Sequence, residues 1–214
     1  MASLPLYEQF RPKSLDAVVA QPKAVAVCRR LIDAGAGGRA VLFEGPSASG
    51  KTTLARIVAA SVADPFFIEE CVADDLTAAR LSDWERSMHL SAWGKGGRAF
   101  IVNEIHGASA ALQRRLDQLL EGNLPSHVVF LATTTWDGTD ALFDGIDGAP
   151  FMSRFLRVRL TNQGTAEPFA AMLREHAQSA GLDGQPVEEY LKLIRKCKNL
   201  RAAYQAVEAG EMIR

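Results

Sequence analysis

Five short apolar runs, at residues 40–44, 66–71, 99–103, 128–132 and 155–160, are each bounded by Gly, Pro, Asp or a charged cluster, which predicts strands. Between them apolar residues recur at helical spacing. Leu54, Ile57, Val58 and Val62 fall on one helical face, and Leu112, Leu116, Leu119 and Leu120 on another. Strand and helix therefore alternate as far as residue 160, the signature of an α/β fold with a parallel sheet covered by helices on both faces. Beyond Leu160 the pattern changes. The stretch TNQGTAEP is a turn-rich hinge, and the residues after it predict three helices near 166–179, 186–196 and 200–211, broken at 181–184 and 198–199. The chain thus divides into an α/β domain, 1–162, and a three-helix lid, 163–214. A packet of about 50 residues is small for an independent folder, so it is expected to pack on the α/β domain.

Composition narrows the class without naming a partner. With 48% hydrophobic and 23% charged residues, the 214-residue chain has the make-up of an ordinary globular protein. No stretch approaches the roughly 18 uninterrupted apolar residues of a membrane span, and the opening MASLPLYEQFRPK lacks a signal-peptide layout, so a cytoplasmic location is expected. A net charge of −1 offers no global field for nucleic acid, so any such contact must come from a local patch or an assembly. Cys28, Cys71 and Cys197 are too few and too scattered for a zinc site or disulfide framework, and His89, His106, His127 and His176 show no metal-ligand spacing. Trp84, Trp93 and Trp136 with Arg80, Arg86 and Arg98 read either as packing or as a stacking surface for nucleic acid. The loop 135–149, with Trp136 and four acids, is long enough to be functional.

The run Gly45, Pro46, Ser47, Ala48, Ser49, Gly50, Lys51, Thr52 matches G-x-x-x-x-G-K-[ST] between a predicted strand and a predicted helix, the context a phosphate loop requires. Glycines let successive backbone N–H groups face a phosphate, and the helix that begins Thr52-Thr53-Leu54 adds unpaired N–H groups and the positive end of its dipole. Lys51 would reach the β- and γ-phosphates of ATP or ADP, and Thr52 would place a hydroxyl on Mg²⁺. Hydrolysis further needs an acidic group on the metal side and a base for the attacking water. The run Ala99, Phe100, Ile101, Val102, Asn103, Glu104 has the right form to supply them, four apolar residues and then a polar pair. Glu104 is the expected base. Asn103 takes the metal-side position with an amide where a carboxylate is usual, so metal binding should be weaker. Two outcomes stay open: hydrolysis that survives on Glu104, or nucleotide binding with poor turnover.

With these segments placed, the chain resembles an AAA+ ATPase, and is most similar to the AAA+ module of DNA-polymerase clamp-loader motor subunits. The opening Leu6–Gln21 resembles the family's Y/W-R-P-x-x-F-x-x-V-V-G-Q segment, which implies that Tyr7, Arg11, Pro12, Val18 and Val19 border the adenine. The stretch from Asn103 to Ser109 resembles D-E-x-H-x-x-S, with Asn103 in place of the acid. The strand end Phe130, Leu131, Ala132, Thr133, Thr134 resembles the one bearing the polar sensor of the γ-phosphate, which implies that role for Thr134, with Thr133 the neighbouring candidate. Ser153-Arg154-Phe155 resembles the S-R-C motif, which makes Arg154 the candidate arginine finger for a neighbouring subunit. Asn199-Leu200-Arg201 resembles the lid's second sensor and implicates Arg201 at the γ-phosphate. The chain departs from the family at Asn103 and Phe155. It also lacks a cysteine cluster after the phosphate loop and a segment for a collar domain, so either it is a fragment or its assembly differs.

The resemblance implies an ATP-driven oligomeric motor or switch with shared ATP sites, homo- or hetero-oligomeric, meeting DNA or a DNA-bound protein through its assembly. One alternative is a nucleotide-binding subunit with weak or no hydrolysis that supports a larger complex. A small-molecule P-loop kinase is the other.

Overall fold

A computed structural model describes residues 4–90, 92–135, 148–197 and 199–213, with residues 148–150 described by backbone alone. Apart from Thr135 and the backbone of its last residues, the loop 135–149 and its Trp136 lie outside the described residues. The chain opens with a short helix α1 (Leu6–Gln9) and a 3-10 turn at Leu15–Ala17, then runs through α2 (Pro22–Asp33), β1 (Arg39–Gly45) and α3 (Lys51–Val62). Next come β2 (Ile68–Val72), α4 (Ala78–Met88), β3 (Arg98–Asn103), α5 (Ala110–Glu121), β4 (Val128–Thr135), α6 (Gly148–Ser153) and β5 (Leu156–Arg159). The last third is helical: α7 (Ala166–Ser179), α8 (Val187–Cys197) and α9 (Leu200–Glu208).

The five strands form one sheet in the order β2-β3-β4-β1-β5, with every neighbouring pair parallel. Each expected strand is present, but two are shorter than their apolar runs. Pro65 starts a 3-10 turn that delays β2 to Ile68 and leaves Phe66 87% exposed, and β5 covers only Leu156–Arg159. Central strands are buried on both faces, which is why their sequences read as continuous apolar runs. Val41, Phe43, Ile101 and Leu131 face α2 and α3, where they meet Leu31, Leu54 and Val58. Leu42, Phe100, Phe130 and Val102 face the other way and pack with Trp84, Leu116 and Phe155. Trp84 is therefore core, its indole N–H donating to Glu69 Oε2 at 2.7 Å, whereas Trp93 is exposed.

Helix starts follow from local chemistry. Thr77, Ser109 and Asn199 cap α4, α5 and α9, their side-chain oxygens accepting from the N–H of Arg80, Leu112 and Ala202. On the sheet, Glu44 is 2% exposed and accepts from Arg157 at 2.7 Å and Arg159 at 2.6 Å, so two cations of β5 hold that edge strand to β1.

The C-terminal helices enclose a third cluster made of Phe169, Leu173, Tyr190, Leu193, Tyr204 and Val207. Leu6 belongs to it as well, and its N–H donates to Glu208 Oε1 at 2.6 Å. Phe10 stacks on His176 with ring centroids 4.2 Å apart, and His176 Nδ1 in turn bonds the Tyr204 hydroxyl. The opening residues thus pack with the helices that end the chain.

Burial pushes the His176 imidazole below its ordinary value, with the Glu175 charge partly opposing this. A neutral ring is favoured in the folded state, so the unfolded chain takes up the proton first and stability should fall as the pH drops below about 6.5. Thermal unfolding between pH 7.5 and 5.5 should show a larger loss of midpoint for the parent chain than for His176→Gln, which cannot titrate.

Candidate functional site

The site begins where β1 stops. At Gly45 the chain turns with φ +152°, and a Cβ placed there would lie 2.6 Å from the carbonyl oxygen of Leu160. Leu160 also donates its N–H to the Glu44 carbonyl at 2.8 Å, so only glycine lets the loop leave the sheet this close to the end of β5. Ala48 and Gly50 are left-handed, with φ 58° and 105°. Gly50 caps α3 without any side-chain hydrogen bond, which leaves the first N–H groups of a 12-residue helix aimed into the loop.

Lys51 is 5% exposed, and its ammonium donates to the carbonyls of Gly45 and Pro46 at 2.9 Å each and to Thr135 Oγ1 at 3.2 Å. Burial pushes this ammonium below its ordinary value, the Glu104 carboxylate opposes the shift, and the Arg201 charge adds to it. Thr52 Oγ1 donates to Asn103 Oδ1 at 3.0 Å. Ser49 Oγ is buried and meets no hydrogen-bond partner among the described residues.

Glu104 follows β3 in the left-handed region, at φ 52° and ψ 51°, a conformation costing an L-residue about 1 kcal/mol. Its carboxylate accepts from the Thr135 N–H at 3.1 Å and the Thr135 hydroxyl at 3.0 Å, while its own N–H donates to Thr133 Oγ1 at 3.1 Å. Thr134 sits on the other face of β4, 1% exposed, with its hydroxyl 3.0 Å from His106 Nδ1. The threonine that touches both Lys51 and Glu104 is Thr135.

On the far side, Arg11 ties the opening segment to α3: its guanidinium bonds Glu8 and donates to Thr53 Oγ1 at 2.9 Å. The hydrogen bonds from Arg11 hold the Glu8 carboxyl below its usual range. Gln21, 4% exposed, donates to the carbonyls of Ser49 and Thr161 at 3.2 and 2.7 Å, so the same segment also holds the loop and the hinge after β5. The Arg201 guanidinium lies over the Tyr7 ring, 5.5 Å from its centroid.

These groups line one open cleft of ≈ 980 Å³, solvent included. Its lining holds Tyr7, Arg11, Pro12, Val18, Val19, the loop from Ser47 to Thr53, Glu104 and Arg201. Gly45 and Pro46 form its base, and Asn103 lies behind Thr52. Arg154 stands apart: its guanidinium donates to Asp117 at 3.2 Å and Glu121 at 2.9 Å on α5. Phe10, Phe169, Met172, Leu200 and Tyr204 also line the cleft. Sequence reading missed them, and it missed Thr135, because their place depends on how the C-terminal helices dock.

The residues present fit a nucleotide with a divalent cation. The uncapped start of α3, the Lys51 ammonium and the unpartnered Ser49 hydroxyl belong to the loop that lines the cleft, and all are donors suited to phosphate oxygens. Thr52 lines the cleft with Asn103 bonded behind it, and these two neutral oxygens are of the kind that hold a divalent cation directly or through its waters.

The RuvB Holliday junction branch migration motor of Thermotoga maritima superposes on this chain with a TM-score of 0.69 at 22% identity, covering 93% of this chain and 64% of that one. The chain has the AAA+ fold. The parallel sheet and the C-terminal helices expected from the pattern are both present. Curated relatives match the clamp-loader resemblance. The gamma/tau subunit of DNA polymerase III from Mycobacterium tuberculosis is 32% identical over 158 residues, 61% of this chain and 27% of that protein. The replication factor C large subunit of Methanothrix thermoacetophila is 26% identical over 216 residues, 95% of this chain and 43% of that protein. The chain therefore spans between about a quarter and less than half of these curated relatives' length. No protein-family model matches it. Among the described residues no helix is long and apolar enough to cross a membrane.

The close approach at Gly45 sets a test of the AAA+ loop. Gly45→Ala should cost about 3 kcal/mol in urea unfolding. Gly164→Ala, also at positive φ but with nothing within 4 Å of the added carbon, should cost about 1 kcal/mol.

Proposed function

We propose that the chain is the AAA+ module of an ATP-driven oligomeric motor or switch that hydrolyses ATP to ADP and phosphate in a clamp-loader-like or other DNA-associated assembly. One observation carries this reading. Lys51, Glu104 and Arg201, from three elements distant in sequence, line one cleft at the open end of α3. The DNA association is supported by relatives named for DNA polymerase III and replication factor C, and by likeness to a branch migration motor.

The phosphate chain lies along the loop from Gly45 to Thr52, where backbone N–H groups and the Lys51 ammonium take up its negative charge. Phe10, Val18, Val19, Phe169 and Met172 supply the apolar walls against which an adenine packs. Thr52 and Asn103 would hold Mg²⁺ directly or through its waters, and the ion would offset charge on the β- and γ-phosphate oxygens. Glu104 accepts the proton of the attacking water as the new P–O bond forms and the bond to the β-phosphate oxygen breaks. The Thr135 contacts hold that carboxylate beside Lys51. Arg201, which lines the cleft, answers to the γ-phosphate, and Thr134, buried on the other face of β4, acts on it only through His106 at the same strand end. Arg154 leaves its own cleft free and acts on a neighbour's, as the S-R motif implies. A second reading, a nucleotide-held subunit with weak or no turnover, is favoured by the amide at Asn103.

Lys51→Ala should weaken ATP binding by about 100-fold, the worth of two charge-assisted hydrogen bonds. Glu104→Gln should keep ATP affinity within about threefold and lower steady-state phosphate release by about 100-fold. Size-exclusion chromatography with a slowly hydrolysed ATP analogue should shift the chain to an oligomer, and Arg154→Ala should reduce turnover in it. Tight ATP binding with no phosphate release from the parent chain would leave the second reading. Absence of any ATP or ADP affinity would end both.

A further inference from the structure

The amide at Asn103 has a partner that explains it. Its Oδ1 accepts from Thr52 Oγ1 at 3.0 Å and from Thr133 Oγ1 at 3.2 Å, while its Nδ2 donates to Glu70 Oε1 at 2.7 Å. Glu70 lies on the neighbouring strand β2, paired in register with Ile101, so Asn103 is its diagonal neighbour on the same face of the sheet. The Glu70 carboxylate is itself gripped by Arg56, which donates to Oε2 at 2.7 Å and Oε1 at 3.0 Å. Arg56 stands one turn beyond Thr52 on α3. A ring of contacts therefore runs from Thr52 to Asn103, to Glu70, to Arg56 and back along the helix.

This ring fixes the direction of the amide. A carboxylate can only accept, so the NH₂ of Asn103 must face Glu70 and its oxygen must face Thr52. An aspartate at position 103 would set one of its oxygens within hydrogen-bond distance of Glu70, two like charges with no proton between them. The negative charge usual at the end of β3 is thus present, one strand further out, and 103 carries the residue type that can receive it.

Resting on the nucleotide–Mg²⁺ reading above, we propose that Glu70 is a positioning residue of the site. Through Asn103 it supplies the charge and the amide orientation that make the Thr52 side fit for a divalent cation. The arrangement is a carboxylate behind a ligand, and loss of such a partner lowers metal affinity by about 10- to 100-fold in known sites.

The test measures ADP affinity with and without Mg²⁺ by fluorescent-nucleotide titration, and Mn²⁺ bound with ADP by electron paramagnetic resonance. Glu70→Gln keeps an acceptor for Arg56 but removes the charge. It should lower the Mg²⁺ enhancement of ADP binding about tenfold or more while leaving metal-free ADP binding unchanged. The swap Glu70→Gln with Asn103→Asp reverses donor and acceptor at the same total charge, and should restore the enhancement. Asn103→Asp alone should lower the metal-free thermal midpoint by about 3 °C, and this loss should vanish in the Glu70→Gln background. An unchanged Mg²⁺ enhancement in Glu70→Gln, or an equal thermal effect of Asn103→Asp in both backgrounds, overturns the proposal. If instead the parent chain binds no ADP, with or without Mg²⁺, it is the nucleotide reading that fails.

Discussion

A buried ammonium holds the centre of this molecule together. Lys51 sits at the first position of α3, yet its charge is spent on two carbonyls of the loop before it and one hydroxyl at the end of β4. A cation so enclosed is tolerable only if oxygens surround it, and these come from the loop and from a neighbouring strand end. The loop's glycines, the parallel register of β1 and β4, and the left-handed turn at Glu104 all serve that enclosure. Each brings an oxygen within reach of a charge that hydrocarbon would otherwise exclude.

The strands converge on the same point. In a parallel sheet all strand ends of one sense lie on one edge, so β1, β3 and β4 deliver their last residues to the same crevice. Gly45, Asn103 and Thr135 close these strands, and each is bonded to the first turn of α3, Gly45 and Thr135 to Lys51 and Asn103 to Thr52. What differs from strand to strand is which face each terminal side chain takes. Thr133 and Thr135 point with Asn103 and Glu104, and Thr134 points with His106. Period-two alternation, not motif order, decides that distribution.

Much of this could be read from residues in order. Each of the five apolar runs overlaps a strand, and the helix Ala166–Ser179 starts and stops where its pattern does. The loop from Gly45 to Thr52 was legible because its spacing and its strand–helix context are both local. Phe10, Phe169, Met172 and Tyr204 were not, since an apolar residue on a helix gives the same signal whether it faces a core or a cleft. Glu70 was hidden for a different reason. It sits in a strand like any half-buried acid, and only the pairing of β2 with β3 sets it beside Asn103. Long-range register is information that no window along the chain contains.

The packing of Leu6 and Phe10 against the final helices has a mechanical corollary. Helix α1 and the last three helices share a single oily interior, while Arg11 and Gln21 rivet the segment after α1 to α3 and to the loop before it. Any swing of the terminal helices is therefore carried by a strap lying directly across the cleft. Opening that clamp and loosening the wall of the cleft become one motion, so occupancy of the crevice and the tilt of the helices are bound to report on each other.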